Sequence, residues 1–418
     1  MSRENWKKQT FWSLPVYTGD VSGVCSALYE LGGMVVMHDP SGCNSTYNTH
    51  DEIRWMDMES LIFLSALRDI DAITGNDQKL IDDVTQAAEE FKPEFIAIAN
   101  SPVPWLIGTD FRSICSKIKE KTGIPTFHVG TNAMHDYTVG AGDAFRALAE
   151  MLFSGREIRH AKNPGNARIR VNVLGMTPLD FTVRSQTATL RQLLDGAGFD
   201  VTSIWALGDS LEALKRSAEA DVNLVVSSVG LQTARYFEQN FGIPYVAGMP
   251  CGAFAEVLLD ALRQSAGTGV SSVPYLDVLE RFRNEGADSD MSCCAPDTCG
   301  TRGTCDVSDR LRRCYAGEPV TMGSLAAARA LADQKNCDIV CLTETSEGLI
   351  GDKDSCPEGE ADIRDILKQY QEVTADPMYR HVCRKDAVFH ELPHFACSGR
   401  LYLGRIPVLI SGGEKENC

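Results

Sequence analysis

The chain has 418 residues, with 44% hydrophobic and 23% charged side chains and a formal net charge of −17. This composition is typical of a globular protein, and the length predicts about three domains of ~150 residues each. The acidic balance argues against a nucleic-acid partner, which needs a basic face, and favours docking to a protein with a basic patch. No apolar run approaches the ~18 residues of a membrane span, and no apolar signal core follows the N-terminus, so we expect a cytoplasmic protein.

Short apolar runs alternate with amphipathic segments along the chain. Strands are predicted at residues 34–37, 95–99, 126–129, 169–174, 201–205, 224–227, 245–247, 338–342 and 408–410. Helices are predicted where apolar residues recur every three or four positions, at residues 82–91, 111–121, 144–153, 187–198, 233–241, 253–266 and 275–286. Such alternation predicts an α/β fold with doubly wound parallel sheets, in which ligands lie at the carboxyl ends of the strands.

Changes in composition mark the domain boundaries. Residues 159–168 are polar and contain Pro and Gly, as expected of a linker, and a second joint follows residue 270. We therefore predict four units, with a helix and a Cys-rich insert between the second and the last α/β domain: residues 1–160, 167–270, 271–313 and 314–418.

Two of the 15 cysteines occupy positions suited to chemistry. Cys25 lies in a Gly-rich segment that enters a helix, and Cys43 follows the strand at residues 34–37 in the segment "HDPSGC". A helix N-terminus stabilises a thiolate, and cysteines on neighbouring loops above one sheet can face the same point. They could supply half of the four thiolates that an iron–sulfur cubane needs, while two unrelated packed thiols are the alternative.

A second group of cysteines lies in a stretch without periodicity, and it comprises Cys293, Cys294, Cys299, Cys305 and Cys314. No paired C-x-x-C ribbons are present, so a standard zinc site is not indicated. Vicinal cysteines can bind a cluster or another metal, or form a labile disulfide. A second metal site and a loosely packed loop are the two interpretations.

Other polar and thiol candidates follow predicted strands, namely Cys251, Glu344, Glu347, His394 and Cys397. Each is consistent with packing or helix capping as well as with ligand binding. His128 and His135 lack zinc spacing, and we interpret their segment as a loop that caps the next helix through residues 140–143. Phosphate-binding loops and the G-x-S-x-G elbow are missing, which argues against nucleotide hydrolysis by this chain.

Several segments, in this order, resemble the component 1 family of nitrogenases and nitrogenase-like oxidoreductases. They are "VVMHDPSGCNSTY", "KPEFIAIANSPVPWLIGTDF", "IPTFHVGTNAMHDYTVGAGDAFRALAEML", "VNVLGMTPLDFTVRSQTATLRQLLDGAGFDV" and "FHELPHFACSGRLYLGRIPVLI". Each segment is modest alone, but their order is specific. The resemblance covers residues 20–265 well and residues 310–412 weakly, and it implies three Rossmann-like domains.

The resemblance also implies a cofactor and partners. Family enzymes pair two component 1 subunits around an interface iron–sulfur cluster, to which an ATP-dependent iron protein delivers electrons. Cys43 and Cys25 are then the expected cluster thiolates. The third cysteine of nitrogenase subunits is missing from residues 100–103, so two thiolates per chain suit a 4Fe–4S cluster shared across a dimer, as in the relatives that reduce tetrapyrroles. The family's cofactor-binding cysteine and histidine fall near Ser227 and His394, which implies a substrate pocket there.

The sequence thus predicts an oxidoreductase subunit, in a homodimer or in a heterodimer with a related subunit. It would accept electrons from the iron protein through the interface cluster and reduce a small molecule or a tetrapyrrole. One alternative is a non-catalytic scaffold on which a metal cluster is assembled. Another is a cluster-free binding protein on the same fold.

Overall fold

The protein is described by a computed structural model that covers residues 11–40, 52–55, 57–155, 168–182, 185–288, 311–344 and 348–410. Three four-stranded sheets form its framework, and their strand pairs run parallel. The predicted α/β class with parallel, doubly wound sheets is therefore confirmed. None of the helices in the described part of the chain combines the length and apolar character that a bilayer crossing needs.

The first sheet has the strand order β2-β1-β3-β4. Its strands are β1 (Met34–His38), β2 (Leu61–Leu64), β3 (Ile96–Asn100) and β4 (Thr126–Val129). The helices of this part are α1 (Asp20–Leu28), α2 (Asp69–Thr74), α3 (Asp77–Phe91), α4 (Pro102–Ile107), α5 (Phe111–Thr122) and α6 (Tyr137–Phe153). Strands β1 and β3 are buried along their whole length, as central strands covered on both faces must be.

Helices α1 and α6 cross in close contact because glycines lie at the crossing. A Cβ atom on Gly140 would come within 1.9 Å of the Asp20 carbonyl oxygen, and one on Gly23 within 2.4 Å of the Tyr137 carbonyl oxygen. The expected capping loop at residues 140–143 is therefore wrong, since these residues lie inside α6. Asp136 is the actual N-cap, and its side chain accepts a hydrogen bond from the Thr138 N–H at 2.8 Å.

The second sheet has the order β6-β5-β7-β8. Its strands are β5 (Ile169–Met176), β6 (Phe199–Ala206), β7 (Val222–Val225) and β8 (Tyr245–Ala247). Helices α7 (Ser185–Gly196), α8 (Leu211–Leu214), α9 (Leu231–Phe241) and α10 (Phe254–Thr268) connect and cover them, with 3₁₀ turns at Ser217–Glu219 and Ser228–Gly230. Helix α11 (Pro274–Asp288) follows.

The third sheet repeats the pattern with the order β10-β9-β11-β12. Its strands are β9 (Arg313–Gly317), β10 (Asp338–Cys341), β11 (Glu372–Ala375) and β12 (Val388–Glu391). Its helices are α12 (Pro319–Asp333), α13 (Glu360–Leu367) and α14 (Phe395–Ser398), and 3₁₀ turns lie at Pro377–Val382 and Gly399–Arg405. One apolar core of the described residues includes side chains from all three parts of the chain.

One predicted strand is wrong. Residues 408–410 are apolar, yet they form no strand in the structure. The backbone N–H groups of Leu409 and Ile410 instead donate to Gln186 Oε1, at 3.0 and 3.2 Å, so a side chain takes the place of a neighbouring strand. The prediction also missed β2, β9, β11 and β12, whereas every predicted helical segment overlaps a helix.

Candidate functional site

A cluster of buried polar side chains lies where the carboxyl ends of the three sheets meet. We call it the central cluster, and it consists of Tyr137, Thr177, Asp180, Ser227 and His394. Tyr137 opens α6 after β4 of the first sheet, while Thr177, Asp180 and Ser227 follow β5 and β7 of the second. His394 follows β12 of the third sheet. Loops at the carboxyl ends of parallel strands are the usual ligand-binding positions in such sheets.

The Asp180 carboxylate is the centre of this cluster. Its Oδ1 atom accepts from the Tyr137 hydroxyl at 2.5 Å and lies 3.1 Å from His394 Nε2. Its Oδ2 atom accepts from the hydroxyls of Thr177 and Ser227, at 3.0 and 2.8 Å. Among the described residues no Lys or Arg side chain pairs with this carboxylate.

The His394 ring is held from several sides. Its backbone N–H donates to Asp376 Oδ2 at 2.8 Å, and its ring centroid lies 5.3 Å from that of Tyr17 and 6.1 Å from that of Tyr137. The side chain is only 6% exposed. Its Nδ1 atom is buried and has no hydrogen-bond partner in the described part of the chain. An unpaired buried ring nitrogen is an available contact for a further group.

A second buried carboxylate, Glu318, joins the second and third sheets beside the cluster. It is the N-cap of α12, and it accepts from the backbone N–H groups of Thr321 and Ser228, each at 2.8 Å. Burial and the neighbouring Asp180 carboxylate raise the pKa of Glu318, while those N–H groups act in the opposite direction. Burial and Asp180 likewise raise the pKa of Tyr137 well above its usual value, so its hydroxyl stays a donor.

The arrangement is suited to holding and passing protons. It contains two buried carboxylates, an imidazole and a phenol, side-chain types that donate or accept protons in catalysis. Across the described residues there is no group of three or more His, Cys, Asp or Glu side chains placed to hold a metal ion. The central cluster is suited to hydrogen-bond and proton chemistry.

Cys25, the one predicted cluster ligand that the structure describes, is fully buried. It lies within α1 in the apolar core and is 0% exposed. Burial and the nearby Glu52 carboxylate raise its pKa, which favours the neutral thiol. An iron–sulfur cluster needs thiolates that reach it, so Cys25 as described does not fit a shared cluster at a subunit surface. Cys43 lies outside the described residues, and the pairing of the two cysteines stays a prediction.

Residues 52–54 are tied to α1 beside Cys25. The Ser26 hydroxyl donates to Glu52 Oε2 at 3.3 Å, and Arg54 donates to Glu52 Oε1 at 2.7 Å and to the Ser26 carbonyl oxygen at 2.8 Å. Arg54 also pairs with Glu30 at 3.1 Å, and both ends of these ion pairs are at most 5% exposed. This buried ion-pair group fixes residues 52–54 against α1.

Of the remaining predicted sites, those that the structure describes do not join the central cluster. The structure does not describe Cys293, Cys294, Cys299, Cys305 or Glu347. Cys314 is buried in β9, and burial raises its pKa well above the usual value. Cys251 is also buried. Cys397 lies three residues from His394, and burial and Asp376 raise its pKa, so it too favours the neutral thiol.

The two histidines of the β4 region have separate roles. His128 Nε2 lies 2.9 Å from Asn100 Oδ1 and its ring stacks on Phe111 at a centroid distance of 4.4 Å. Burial lowers its pKa to about 4. His135 Nδ1 lies 2.9 Å from Glu344 Oε2, which links the loops that follow β4 and β10. These contacts occupy one ring nitrogen of each histidine.

Sequence reasoning did not single out Tyr137, Asp180, Glu318 or Arg54. A usable signal existed for Asp180 and Glu318, since each is a lone acidic residue shortly after an apolar strand. The side chains that they meet come from distant parts of the chain, so no local pattern could group them. Ser227 and His394, which were expected at one pocket, are brought together through Asp180.

Comparison with known proteins places the chain in a family. A family model described as nitrogenase component 1 type oxidoreductase matches residues 23–278, which is more than half of the chain. The chain belongs to this family. The resemblance in the sequence segments is thereby confirmed.

Individual relatives of the nitrogenase component 1 type are distant. The chain is 28% identical over 222 residues to one of the subunits of the light-independent protochlorophyllide reductase of Synechococcus elongatus, a match that covers 51% of this chain and 43% of that protein. It is 25% identical over 223 residues to the nitrogenase iron-molybdenum cofactor biosynthesis protein NifE of Methanosarcina barkeri, covering 50% of this chain and 46% of that protein. The chain thus matches less than half the length of these relatives.

A solved structure shares the fold over nearly the whole chain. The structure of nitrogenase Cp1 at pH 6.5 superposes with a TM-score of 0.61 at 15% identity, and the match covers 94% of this chain and 88% of that one. The structure of the same protein at pH 5 gives a TM-score of 0.57 at 13% identity, covering 92% and 85%. These matches extend the shared architecture into the third sheet, beyond the residues of the family match.

Proposed function

We propose that this chain is a component 1-type subunit of a nitrogenase-like reductase, which accepts electrons from an ATP-dependent iron protein and reduces a small molecule or a tetrapyrrole. The observation that carries the proposal is the central cluster. Its proton-exchanging side chains come from the carboxyl ends of strands in all three sheets. The similarity to a protochlorophyllide reductase subunit supports reduction as the type of reaction.

In this proposal the chain's own residues handle the substrate's protons. A reduction adds protons as well as electrons to the substrate, so a buried reaction site needs groups that hold and release protons. Asp180, His394 and Tyr137 form a connected hydrogen-bonded path, and Glu318 holds its proton to a higher pH than an ordinary glutamate. Burial of these groups also keeps water away from the reacting atoms.

Electrons are proposed to enter at the carboxyl end of β1, through an iron–sulfur cluster with Cys43 as a ligand. Such a cluster, of the 4Fe–4S type shared between two subunits, would supply one-electron transfer when it is bound. The Cys25 thiol does not fit this role as described, because it is enclosed in the core. We therefore propose Cys43 as the principal ligand, with the remaining ligands from a second component 1 subunit, either identical or related.

The test is anaerobic purification followed by iron and sulfide analysis and an electron paramagnetic resonance spectrum. We expect Cys43→Ser to remove bound iron and to abolish reduction of the chain by dithionite. Cys356→Ser, at an exposed thiol, is the matched control and should keep both. Iron content and electron acceptance that survive Cys43→Ser would refute the electron-entry proposal. Cys25→Ser, tested separately, should leave iron bound if the buried thiol is only packed.

A cluster-assembly scaffold is the second candidate, and the similarity to the cofactor biosynthesis protein NifE favours it. A scaffold would bind the cluster but would show no turnover with an iron protein and ATP. Release of the bound metal to an acceptor protein would distinguish it from a reductase. Colourless protein from an anaerobic preparation would instead point to a cluster-free binding protein.

A further inference from the structure

We propose that Asp180 is a positioning residue for His394, which fixes the imidazole in the tautomer with its hydrogen on Nε2 and leaves Nδ1 as a buried acceptor. The inference rests on the proposed function only in taking the central cluster as the reaction site. It concerns the orientation and tautomer of His394 in that site, and it assigns a role to Asp180, which the sequence analysis did not single out.

The first step follows from the acceptor capacity of the Asp180 carboxylate. An ionised carboxylate offers about four lone-pair positions, two on each oxygen. The Tyr137 hydroxyl occupies one position on Oδ1, and the hydroxyls of Thr177 and Ser227 occupy two on Oδ2. Because all three hydroxyls donate to it, the Asp180 carboxylate acts as an acceptor on both oxygens. The remaining contact on Oδ1, at 3.1 Å, therefore requires His394 Nε2 to be the donor.

The other ring nitrogen of His394, Nδ1, is left as an acceptor. In a neutral imidazole with its hydrogen on Nε2, the Nδ1 atom is an acceptor. Here Nδ1 is buried, and the described residues provide no partner for it. A buried acceptor without a partner costs free energy, and a ligand that donates a hydrogen bond would recover it.

The packing around His394 keeps the ring from rotating to a position in which Nδ1 would have a partner. The rings of Tyr17 and Tyr137 pack against the imidazole, with centroids 5.3 and 6.1 Å away. The backbone of His394 is tied to Asp376, and its Nε2 is tied to Asp180. The surroundings therefore hold the ring in one orientation, and the carboxylate decides which nitrogen carries the hydrogen.

The experiment is nitrogen-15 NMR of the full-length chain labelled at histidine, in which the two ring tautomers give distinct shifts. The His394 signals are assigned as those lost in His394→Gln. We expect wild-type His394 to carry its hydrogen on Nε2. Asp180→Ala removes the carboxylate that accepts from Nε2, so we expect the hydrogen to be shared between Nδ1 and Nε2. Thr177→Val is the matched control, because it removes another bond to the same carboxylate and should leave the tautomer unchanged.

Two results would overturn the assignment. One is a wild-type ring with its hydrogen on Nδ1, and the other is an Asp180→Ala ring that keeps its hydrogen wholly on Nε2. If Asp180→Ala fails to fold, the spectra of the wild type and of Thr177→Val still decide, since a change of tautomer in the latter would show that Asp180 does not fix the ring.

Turnover is an independent readout that separates this inference from the proposed function. With an iron protein and ATP, we expect Asp180→Asn to lower turnover about 10–100-fold, as loss of an orienting partner typically does, while bound iron stays unchanged. A wild-type chain without turnover would refute the reductase proposal. The NMR test of the His394 tautomer does not depend on turnover.

Discussion

Replacing Arg54 by methionine should loosen residues 52–54 from α1. Arg54 is 2% exposed and forms ion pairs with Glu52 at 2.7 Å and with Glu30 at 3.1 Å. It also donates to the Ser26 carbonyl oxygen at 2.8 Å, and its guanidinium lies 4.5 Å from the centroid of the Tyr29 ring. Methionine fills much of the same volume, but it removes the guanidinium that both nearly buried carboxylates pair with.

The expected size of the effect follows from this burial. Removing one partner of a buried ion pair typically costs about 3–5 kcal/mol, because the remaining charge stays desolvated. An exposed pair contributes only about 0.2–1 kcal/mol. Arg216→Met is the matched control, since Arg216 is 62% exposed and lies 3.7 Å from Glu219, which is 52% exposed.

Amide hydrogen exchange, read by mass spectrometry, is the suitable assay because three sheets need not unfold in one step. For Arg54→Met we expect exchange in residues 20–30 and 52–64 to accelerate about 100-fold or more, as 3 kcal/mol implies at 1.4 kcal/mol per tenfold. Arg216→Met should change it by less than about fivefold. If both segments of Arg54→Met exchange within fivefold of the wild-type rate, the predicted contribution of this ion-pair group to stability is refuted.

Two further predictions concern stability. The pKa of His128 is about 4 in the folded chain and 6.5 for the free group. As the pH falls from 6.5 towards 4, the unfolded chain takes up a proton on His128 and the folded chain does not. The folded state therefore loses stability over this range. The unfolding free energy of His128→Gln, from thermal unfolding at pH 7 and pH 5, should therefore fall less between these pH values than that of the wild type. The difference should be at most about 1.4 kcal/mol per pH unit, and an equal fall in both proteins would contradict this. Gly140→Ala should destabilise by about 1–3 kcal/mol or more, because its Cβ meets the Asp20 carbonyl oxygen at 1.9 Å. Gly196→Ala, with open space around its Cβ, should be neutral or slightly stabilising, and equal melting temperatures for the two variants would refute the close helix crossing.

Much of the fold could be predicted because the central strands of two sheets contain short apolar runs. Strands β1, β3 and β7 are wholly buried, so most of their residues are apolar. The missed strands β2 and β12 lie at sheet edges and are only half buried or exposed. The missed central strands β9 and β11 begin with charged residues, Arg313 and Glu372, which neutralise each other across the sheet at 2.7 Å.

The candidate site was predictable only in part. Ser227 and His394 could be named from the family resemblance, but nothing local in the sequence links them. Tyr137, Ser227 and His394 lie 43, 47 and 214 positions from Asp180. Contacts at such separations exist only once three sheets have packed with their carboxyl ends together. The sequence marks Asp180 only as a lone acidic residue after an apolar strand, and it does not indicate which side chains Asp180 meets.

The chemistry of the central cluster indicates how the proposed reaction is divided in space. The Ser227 hydroxyl stands near the position of the family's cofactor-binding cysteine, and it already donates to Asp180. A hydroxyl is a poorer ligand than a thiolate for iron–sulfur and other soft metal sites. In the proposed reaction the substrate is therefore bound and protonated at the central cluster, and electrons arrive from the carboxyl end of β1 in the neighbouring sheet. Cys43→Ser should then remove iron and turnover together, whereas Asp180→Asn should lower turnover with iron still bound.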